Sequence, residues 1–280
     1  MERGARWARL MYFIPSTLSN CPANCPDEFP DEFPDKFTCR CAVLFVEFSP
    51  ASTAGQLALD EALLNLRERE PGDGFLRFWE PSEPCVVLGR TNTAEREIRL
   101  DRCRSLGIPV FRRSSGGGTV VQGPGCLNFS LVLNNSADGR LANAATTNDY
   151  VLGLNAGVIS TLTGENVRVS GSSDLTIGGR KISGNAQRRR LRSLLFHGSI
   201  LLDFDIALIE ELLPLPSRQP AYRDGRAHTE FLRNLLISAE GLKRALRDSW
   251  GASLPATDLP LDEMERLVKE KYLNPSWTYN

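Results

Sequence analysis

From residue 52 onward the chain alternates between apolar stripes at helical spacing and short runs in which every second residue is apolar. Ser52 or Thr53 can cap a helix running to about Arg69, with Leu57, Ala58 and Leu64 on its apolar stripe. Pro71-Gly72-Asp73-Gly74 breaks it. Strand-like runs follow at Phe75–Trp79 and Cys85–Leu88, then a charged helix over Ile98–Leu106 closed by Gly107. Next come Val110–Arg113, a glycine loop, and Cys126–Leu133, where Leu127, Phe129, Leu131 and Leu133 alternate with Asn128 and Ser130. Asp149–Leu162 reads as a second long helix. Strand signals return at Asn166–Val169, Asp174–Ile177, Lys181–Ala186 and Leu194–Leu202. Beyond Asp203 the pattern is helical, with Glu240–Trp250 and Leu261–Tyr272 the clearest pieces. Helices flanking many short neighbouring strands predict an α+β class with a mixed, mainly antiparallel sheet.

Residues 1–48 do not share this pattern. Arg3, Arg6 and Arg9 precede a short apolar stretch, Leu10–Ile14, and the acidic repeat from Pro26 to Phe37 follows it. The apolar stretch is too short for a secretory signal, and the Leu18–Cys21 run bears only a faint likeness to a lipoprotein cleavage site. Cys21, Cys25, Cys39 and Cys41 fit zinc-ligand spacing poorly. The segment is expected to be a disordered extension or the product of an upstream start codon.

Composition narrows the function classes. The 280 residues carry 33 basic and 34 acidic side chains, so the chain lacks the basic excess of a general nucleic-acid binder. Hydrophobic residues make up 41 %, enough for a core. No apolar run reaches the roughly 18 residues of a transmembrane helix. Only Cys85, Cys103 and Cys126 remain after residue 41, which suits a reducing, cytoplasmic setting.

The candidate chemistry lies in two stretches. Arg112-Arg113-Ser114-Ser115-Gly116-Gly117-Gly118 puts two cations and three glycines directly after a strand, so backbone amides can approach an anionic ligand. No Gly-Lys-[Ser/Thr] closes the loop, which excludes a Walker A motif. A glycine triplet alone reads equally well as a tight turn. In the second stretch, Gly178-Gly179 joins two strand-like runs as a hairpin. Strict alternation on the returning strand puts Lys181, Ser183 and Asn185 on one face. Only five of the 33 basic residues are Lys, and Lys181 is the only one between Phe37 and Leu242. A chain that otherwise uses Arg has a lysine here, which points to a need for a compact ammonium, while the residues alone favour an ordinary exposed strand lysine.

Taken in order, the stretches are similar to the lipoate–protein ligase family. They are Trp79…Gly89-Arg90, Arg112–Gly118, Gly125-x-Leu-Asn128-x-Ser130, Asp174…Gly179-Arg180-Lys181-Ile182-Ser183-Gly184-x-Ala186-Gln187 and His197-Gly198. The resemblance covers about residues 50–235. It implies a biotin/lipoate ligase-like catalytic domain over 49–235, followed by a helical tail over 236–280.

It further implies that lipoate is activated by ATP to lipoyl-AMP and passed to a lysine of a lipoyl domain, such as a 2-oxoacid dehydrogenase E2 or a glycine-cleavage H-like protein. By position Lys181 matches the family's catalytic lysine. Arg112, Ser115, Gly116, Gly117, Gly118, Asn128, Arg180, Ser183, Gly184, Ala186 and His197 match substrate-binding positions, and Asp174 is either a candidate Mg²⁺ ligand or a turn-forming Asp. His197 also reads as a hydrogen-bonded structural histidine. The run Arg188-Arg189-Arg190-x-Arg192 reads either as a solvated turn or as a docking patch for acidic acceptor domains or the nucleotide phosphates.

Two departures stand out. Gln122-Gly123-Pro124-Gly125 replaces the His-Asp pair usual in ligases and is closer to the octanoyltransferase branch, yet no cysteine lies between Glu165 and Gly178, where one branch of those enzymes carries its acyl acceptor. The short C-terminal tail also leaves no room for the classical accessory domain, so a separate accessory subunit is expected if the chain is a ligase. The alternatives are an ATP-independent octanoyl or lipoyl transferase between carrier proteins, and a non-catalytic binder of lipoylated carriers.

Overall fold

The computed structural model describes residues 42–135 and 139–279. Along the chain, β1 (Val43–Phe45) and α1 (Thr53–Arg69) lead to β2 (Gly74–Trp79) and β3 (Cys85–Leu88). Two short helices, α2 (Ala94–Glu97) and α3 (Leu100–Ser105), precede β4 (Val110–Arg112), β5 (Val120–Gln122) and β6 (Cys126–Asn134). After α4 (Ala144–Thr163) come β7 (Val167–Ser170), β8 (Asp174–Ile177), β9 (Arg180–Arg189) and β10 (Ser193–Leu201). The remainder is helical: α5 (Ile206–Leu212), α6 (His228–Phe231), α7 (Ala239–Ser249), α8 (Leu261–Leu267) and α9 (Pro275–Tyr279).

Seven strands form one sheet in the order β1-β2-β6-β10-β9-β8-β7, and β4-β3-β5 form a second. All pairings are antiparallel except β1 with β2 and β3 with β4, which gives the mixed, mainly antiparallel architecture of an α+β domain. One face of the large sheet buries Leu127, Phe129, Leu131, Phe196 and Ile200 with Val151, Leu152 and Ile159 of α4 and Leu242 and Leu246 of α7. The other face meets α1, whose Leu59, Leu63 and Leu64 pack with Phe75, Val132 and Leu195 and with Val87 of the small sheet.

Helix α1 starts where Ser52 accepts a hydrogen bond from the Gly55 amide at 3.1 Å, satisfying a first-turn donor. Every residue from Ala54 to Leu64 is buried, Asp60 and Glu61 included. Helix α4 begins at Ala144, earlier than its apolar periodicity suggests, because the Asn143 side chain caps the Ala145 and Thr146 amides at 2.9 and 3.0 Å.

Two expectations change. Val43–Phe45 lies within the segment expected to be disordered, yet it is a strand: it pairs with β2 from Val43 to Phe45, and the Phe45 amide donates to Leu254 O at 2.8 Å. An apolar triplet can find a sheet edge without a periodic pattern to announce it. Residues 1–41 of that segment, with Cys21, Cys25, Cys39 and Cys41, lie outside the described residues. The single helix expected over Leu261–Tyr272 is α8 followed by a wider π turn over Val268–Tyr272. That turn places Lys271 and Tyr272 together on Glu61 of α1: Lys271 Nζ and Tyr272 Oη both donate to Oε2 at 2.7 Å.

Candidate active site

Two rows of cross-strand neighbours run across the α1-facing side of the large sheet. One is Trp79, Asn128, Ser199, Gly184 and Asp174; the other is Arg77, Ser130, His197 and Ala186. A cavity of about 480 Å³ lies over them, closed on the far side by Val87, Val121 and Gln122 of the small sheet. Gly117 and Gly118 of the glycine loop form part of its wall.

Lys181 reaches this cavity through an irregularity in the sheet. Thr176 pairs with Lys181 but the next residue back, Leu175, pairs with Ser183, so Ile182 is an extra residue and β9 is bulged there. The bulge cancels the alternation expected from sequence. Lys181 shares its face with Gly184, whose missing Cβ would lie 2.7 Å from Nζ. Ser183 and Asn185 alternate to the other face of the strand while still bordering the cavity: Ser183 pairs with Ile200 of the α4-side core, and Asn185 Nδ2 donates to Ser173 O at 2.8 Å. The ammonium lies 2.8 Å from Asp174 Oδ1 and remains a quarter exposed. Asp174 Oδ2 accepts from Tyr222 Oη at 2.7 Å. Burial and the Asp174 charge push the Tyr222 phenol well up, so it stays a donor.

The glycine loop is held from within by Arg113. Nη2 donates to Gly116 O at 2.6 Å and Gly118 O at 2.7 Å, Nε to Ser115 Oγ at 3.0 Å, and Nη1 to Val87 O at 3.3 Å. Gly117 between them has φ 88°, and a Cβ there would come within 2.9 Å of Nη2, so the loop closes on the guanidinium only without a side chain. No carboxylate pairs with Arg113 among the described residues, and burial lowers its pKa to about 10. A buried cation without a counter-ion, at the wall of a cavity, favours an anion there.

The neighbouring arginine does something else. Arg112 is 2 % exposed, and its Nε and Nη2 donate to Thr278 O while Nη1 donates to the carbonyls of Gly89, Arg90 and Asn92. Trp277 Nε1 returns a bond to Arg112 O at 2.9 Å. This guanidinium clamps α9 to the small sheet and is not at the cavity, which corrects its assignment as a substrate contact. Two cations in sequence project from a strand to opposite sides, so only one can face the ligand. Arg180 likewise points away, donating to Leu232 O and Thr229 O.

Of the other positions singled out in the sequence, Gly117, Gly118, Asn128, Ser183, Gly184, Ala186, His197 and Asp174 line the cavity. Gly116 contributes its carbonyl to Arg113, and Ser115 is buried behind the loop at 1 % exposure. Gln122 Nε2 donates to Asn128 Oδ1 at 2.8 Å and Ser199 Oγ at 2.7 Å, leaving Asn128 Nδ2 and Gln122 Oε1 without partners. With Asp174 committed to Lys181 and Tyr222, and no cluster of three or more acidic, His or Cys ligands among the described residues, the arrangement does not fit a protein-held Mg²⁺.

Part of the basic run is taken up in packing: Arg188 pairs with Glu61 at 2.7 Å, and Arg189 donates to Leu141 O and Thr147 Oγ1. At Arg192 the backbone amide bonds Glu68 and the residue is exposed. The three thiols after residue 41 are buried, and burial raises Cys85 to about 11 and Cys126 to about 12.

The sequence reading missed Asp60 and Arg77. Asp60 Oδ1 takes Arg77 Nη1 at 2.6 Å, and Oδ2 takes Ser130 Oγ at 2.8 Å and His197 Nδ1 at 3.2 Å. Burial opposes its charge, but Arg77, His197 and Ser130 outweigh that cost and hold the carboxyl below the ordinary aspartate range. The signal was an Asp-Glu pair inside the apolar stripe of α1.

A mainly antiparallel sheet thus carries a lysine in a bulge, across a cavity from a glycine loop. The model of the "Lipoyl protein ligase A/B catalytic domain" family matches residues 52–249, and the chain belongs to this family. Among curated relatives it is 28 % identical to lipoate-protein ligase A subunit 1 of Thermoplasma acidophilum, over 82 % of this chain and 93 % of that one. It is 32 % identical to octanoyltransferase LipM of Clostridioides difficile, over 78 % of this chain and 90 % of that one.

The fold also matches the solved bipartite lipoate protein ligase of Thermoplasma acidophilum, with a TM-score of 0.71 and 24 % identity over 85 % of this chain and 96 % of that one. A lipoate-protein ligase A solved with ATP bound aligns with a TM-score of 0.70 and 23 % identity, over 85 % of this chain and 98 % of that one. No helix among the described residues is long and apolar enough to cross a membrane.

Proposed function

We propose that this chain is an ATP-dependent lipoate–protein ligase. The observation that carries the reading is a cavity that offers two cations to developing phosphate and carbonyl charge, Lys181 and Arg113, and, among the described residues, no thiol to carry an acyl group. A lipoate carboxylate oxygen would attack the α-phosphorus of ATP, and pyrophosphate would leave. The amine of an acceptor lysine would then attack the acyl carbon, the bond to AMP would break, and the amine would lose a proton. In both steps Lys181 Nζ stabilises negative charge as it grows, the task of a preorganised cation. Arg113 and the Gly117–Gly118 backbone fix the phosphate, while Asn128 Nδ2 and Gln122 Oε1 supply the polar contacts that lack partners without ligand. Mg²⁺ would enter on the nucleotide's own phosphates.

A second reading is octanoyl transfer between carrier proteins without ATP, favoured by the 32 % identity to an octanoyltransferase. Buried Cys85 and Cys126, with pKa values of about 11 and about 12, weigh against a thioester route through either.

The experiment is the intact mass of an apo lipoyl-domain acceptor after incubation with this protein, lipoate and Mg²⁺, with and without ATP. A gain of one lipoyl group only with ATP supports the ligase. Transfer from an octanoylated carrier without ATP would replace it by the second reading. A gain that appears only when a small accessory protein is added would give this chain a partner subunit, as in the bipartite ligase it resembles in fold.

A further inference from the structure

His197 joins two parts of the molecule that are far apart in sequence. Its Nδ1 lies 3.2 Å from Asp60 Oδ2 on α1, and its Nε2 lies 2.6 Å from Ser115 Oγ at the entrance of the glycine loop. Ser115 Oγ also accepts from Arg113 Nε at 3.0 Å. Asp60 is pinned from behind by Arg77 and Ser130. Asp60, Arg77, Ser115 and Ser130 are each no more than 2 % exposed, and neither Asp60 nor Ser115 lines the cavity.

We propose that Asp60 is a positioning residue that acts through His197 and Ser115 on Arg113 and so sets the glycine loop. The donors run one way. Arg113 Nε–H gives to Ser115, Ser115 O–H gives to His197 Nε2, and His197 Nδ1–H gives to Asp60. The order requires a neutral imidazole with its proton on Nδ1, the tautomer that a carboxylate at Nδ1 selects. Arg113 spends its Nη2 on the carbonyls of Gly116 and Gly118, and the Nε contact to Ser115, with the longer Nη1 contact to Val87 O, fixes the plane of the fork. Ser115 thus works behind the ligand site, and His197 carries a second task besides lining it.

The activity arm of the test rests on the function proposed above; the spectroscopic arm does not. The chain contains two histidines, so ¹⁵N-histidine labelling of the full chain gives two ring systems, and His228→Gln tells them apart. At neutral pH the His197 ring is expected as the Nδ1–H tautomer. In Asp60→Asn, Arg77 would claim the one amide oxygen and turn the NH₂ toward His197, moving the ring proton to Nε2.

In whichever transfer assay the wild type passes, Ser115→Ala and Asp60→Asn should each lower kcat/KM by roughly 10²-fold through misplacement of the loop. The double variant should lose little more, because both break one chain. Should Asp60→Asn fail to fold, Ser115→Ala carries this arm, since it leaves the Asp60–Arg77 pair intact. An Nε2–H or doubly protonated ring in the wild type, near-normal turnover in Ser115→Ala, or fully additive losses would overturn the proposal. A wild type inactive with ATP but with the Nδ1–H tautomer in place would remove the ligase reading alone.

Discussion

Lys181 Nζ rests over the bare Cα of Gly184, where a Cβ would approach to 2.7 Å. The atom that must yield is the free end of a flexible side chain, so Gly184→Ala should leave thermal stability nearly unchanged. It should still cost roughly tenfold or more in turnover, because it moves the ammonium off its mark. Thermal melts and acyl-transfer rates on the same sample decide it; equal losses of both would show a packing defect instead.

Lys181→Ala removes the cation itself. The fold has other supports, and Ile182, not Lys181, fills the core at this point. Activity is expected to fall by roughly 10²-fold or more, as loss of a charge contact to the transition state does. Normal turnover in a folded variant would falsify the assignment of Lys181.

Glu61 is 4 % exposed and gathers Lys271, Tyr272 and Arg188. Burial raises its pKa, but these partners pull it below the ordinary glutamate value of 4.5. A carboxyl depressed in the folded state stabilises the fold fully above the unfolded value, and that contribution is lost as pH falls through the folded one. Glu61→Gln should therefore cost about 2 kcal/mol at pH 7, less than a fully dry pair because Lys271 and Arg188 keep part of their surface in water. The gap to wild type should close as pH drops below 4.5. Urea denaturation across that range measures it, and a gap independent of pH would contradict the linkage.

Ending the chain after Asn274 removes the Thr278 carbonyl that accepts from Arg112 and the Trp277 indole that donates to it. A buried guanidinium would lose two of its acceptor contacts. The truncated protein should be less stable by about 2 kcal/mol or more, the scale of hydrogen bonds to a charged group. An unchanged urea midpoint would show that α9 contributes no clamp.

Cys126→Ala should retain acyl transfer at close to the wild-type rate. The thiol is fully buried and raised to about 12, so it supplies no thiolate near neutral pH. Loss of transfer in a stably folded variant, with recovery in Cys126→Ser excluded, would restore a thioester intermediate.

Much of the fold was legible because its elements are strongly periodic. Cys85–Leu88 and Asp174–Ile177 fall where the apolar runs put them, and the α1 start follows from Ser52. Motif order exposed the lysine, the glycine loop and their approximate neighbourhood. What stayed hidden depends on distance in space. The bulge at Ile182 leaves no mark in composition, yet it decides that Lys181 faces Gly184 and Ala186 and not Ser183 and Asn185. Arg112 and Arg113 are chemically identical in sequence; only the position of Thr278, far along the chain, separates clamp from site. Asp60 looked like a polar interruption of an apolar helix until Arg77, Ser130 and His197 converged on it.

β6 is an interior strand of the large sheet, and its partners come from remote stretches. Phe129 sits opposite Phe78 on one side and Gly198 on the other, about 50 and about 70 residues away, and loops of that span close slowly because their entropy is lost before pairing repays it. The cavity floor is the same set of pairings, so no partly folded chain can present it. Substrate has nothing to grip until the last of these strands has docked; it can slow unfolding of the finished domain, and it cannot guide assembly toward it.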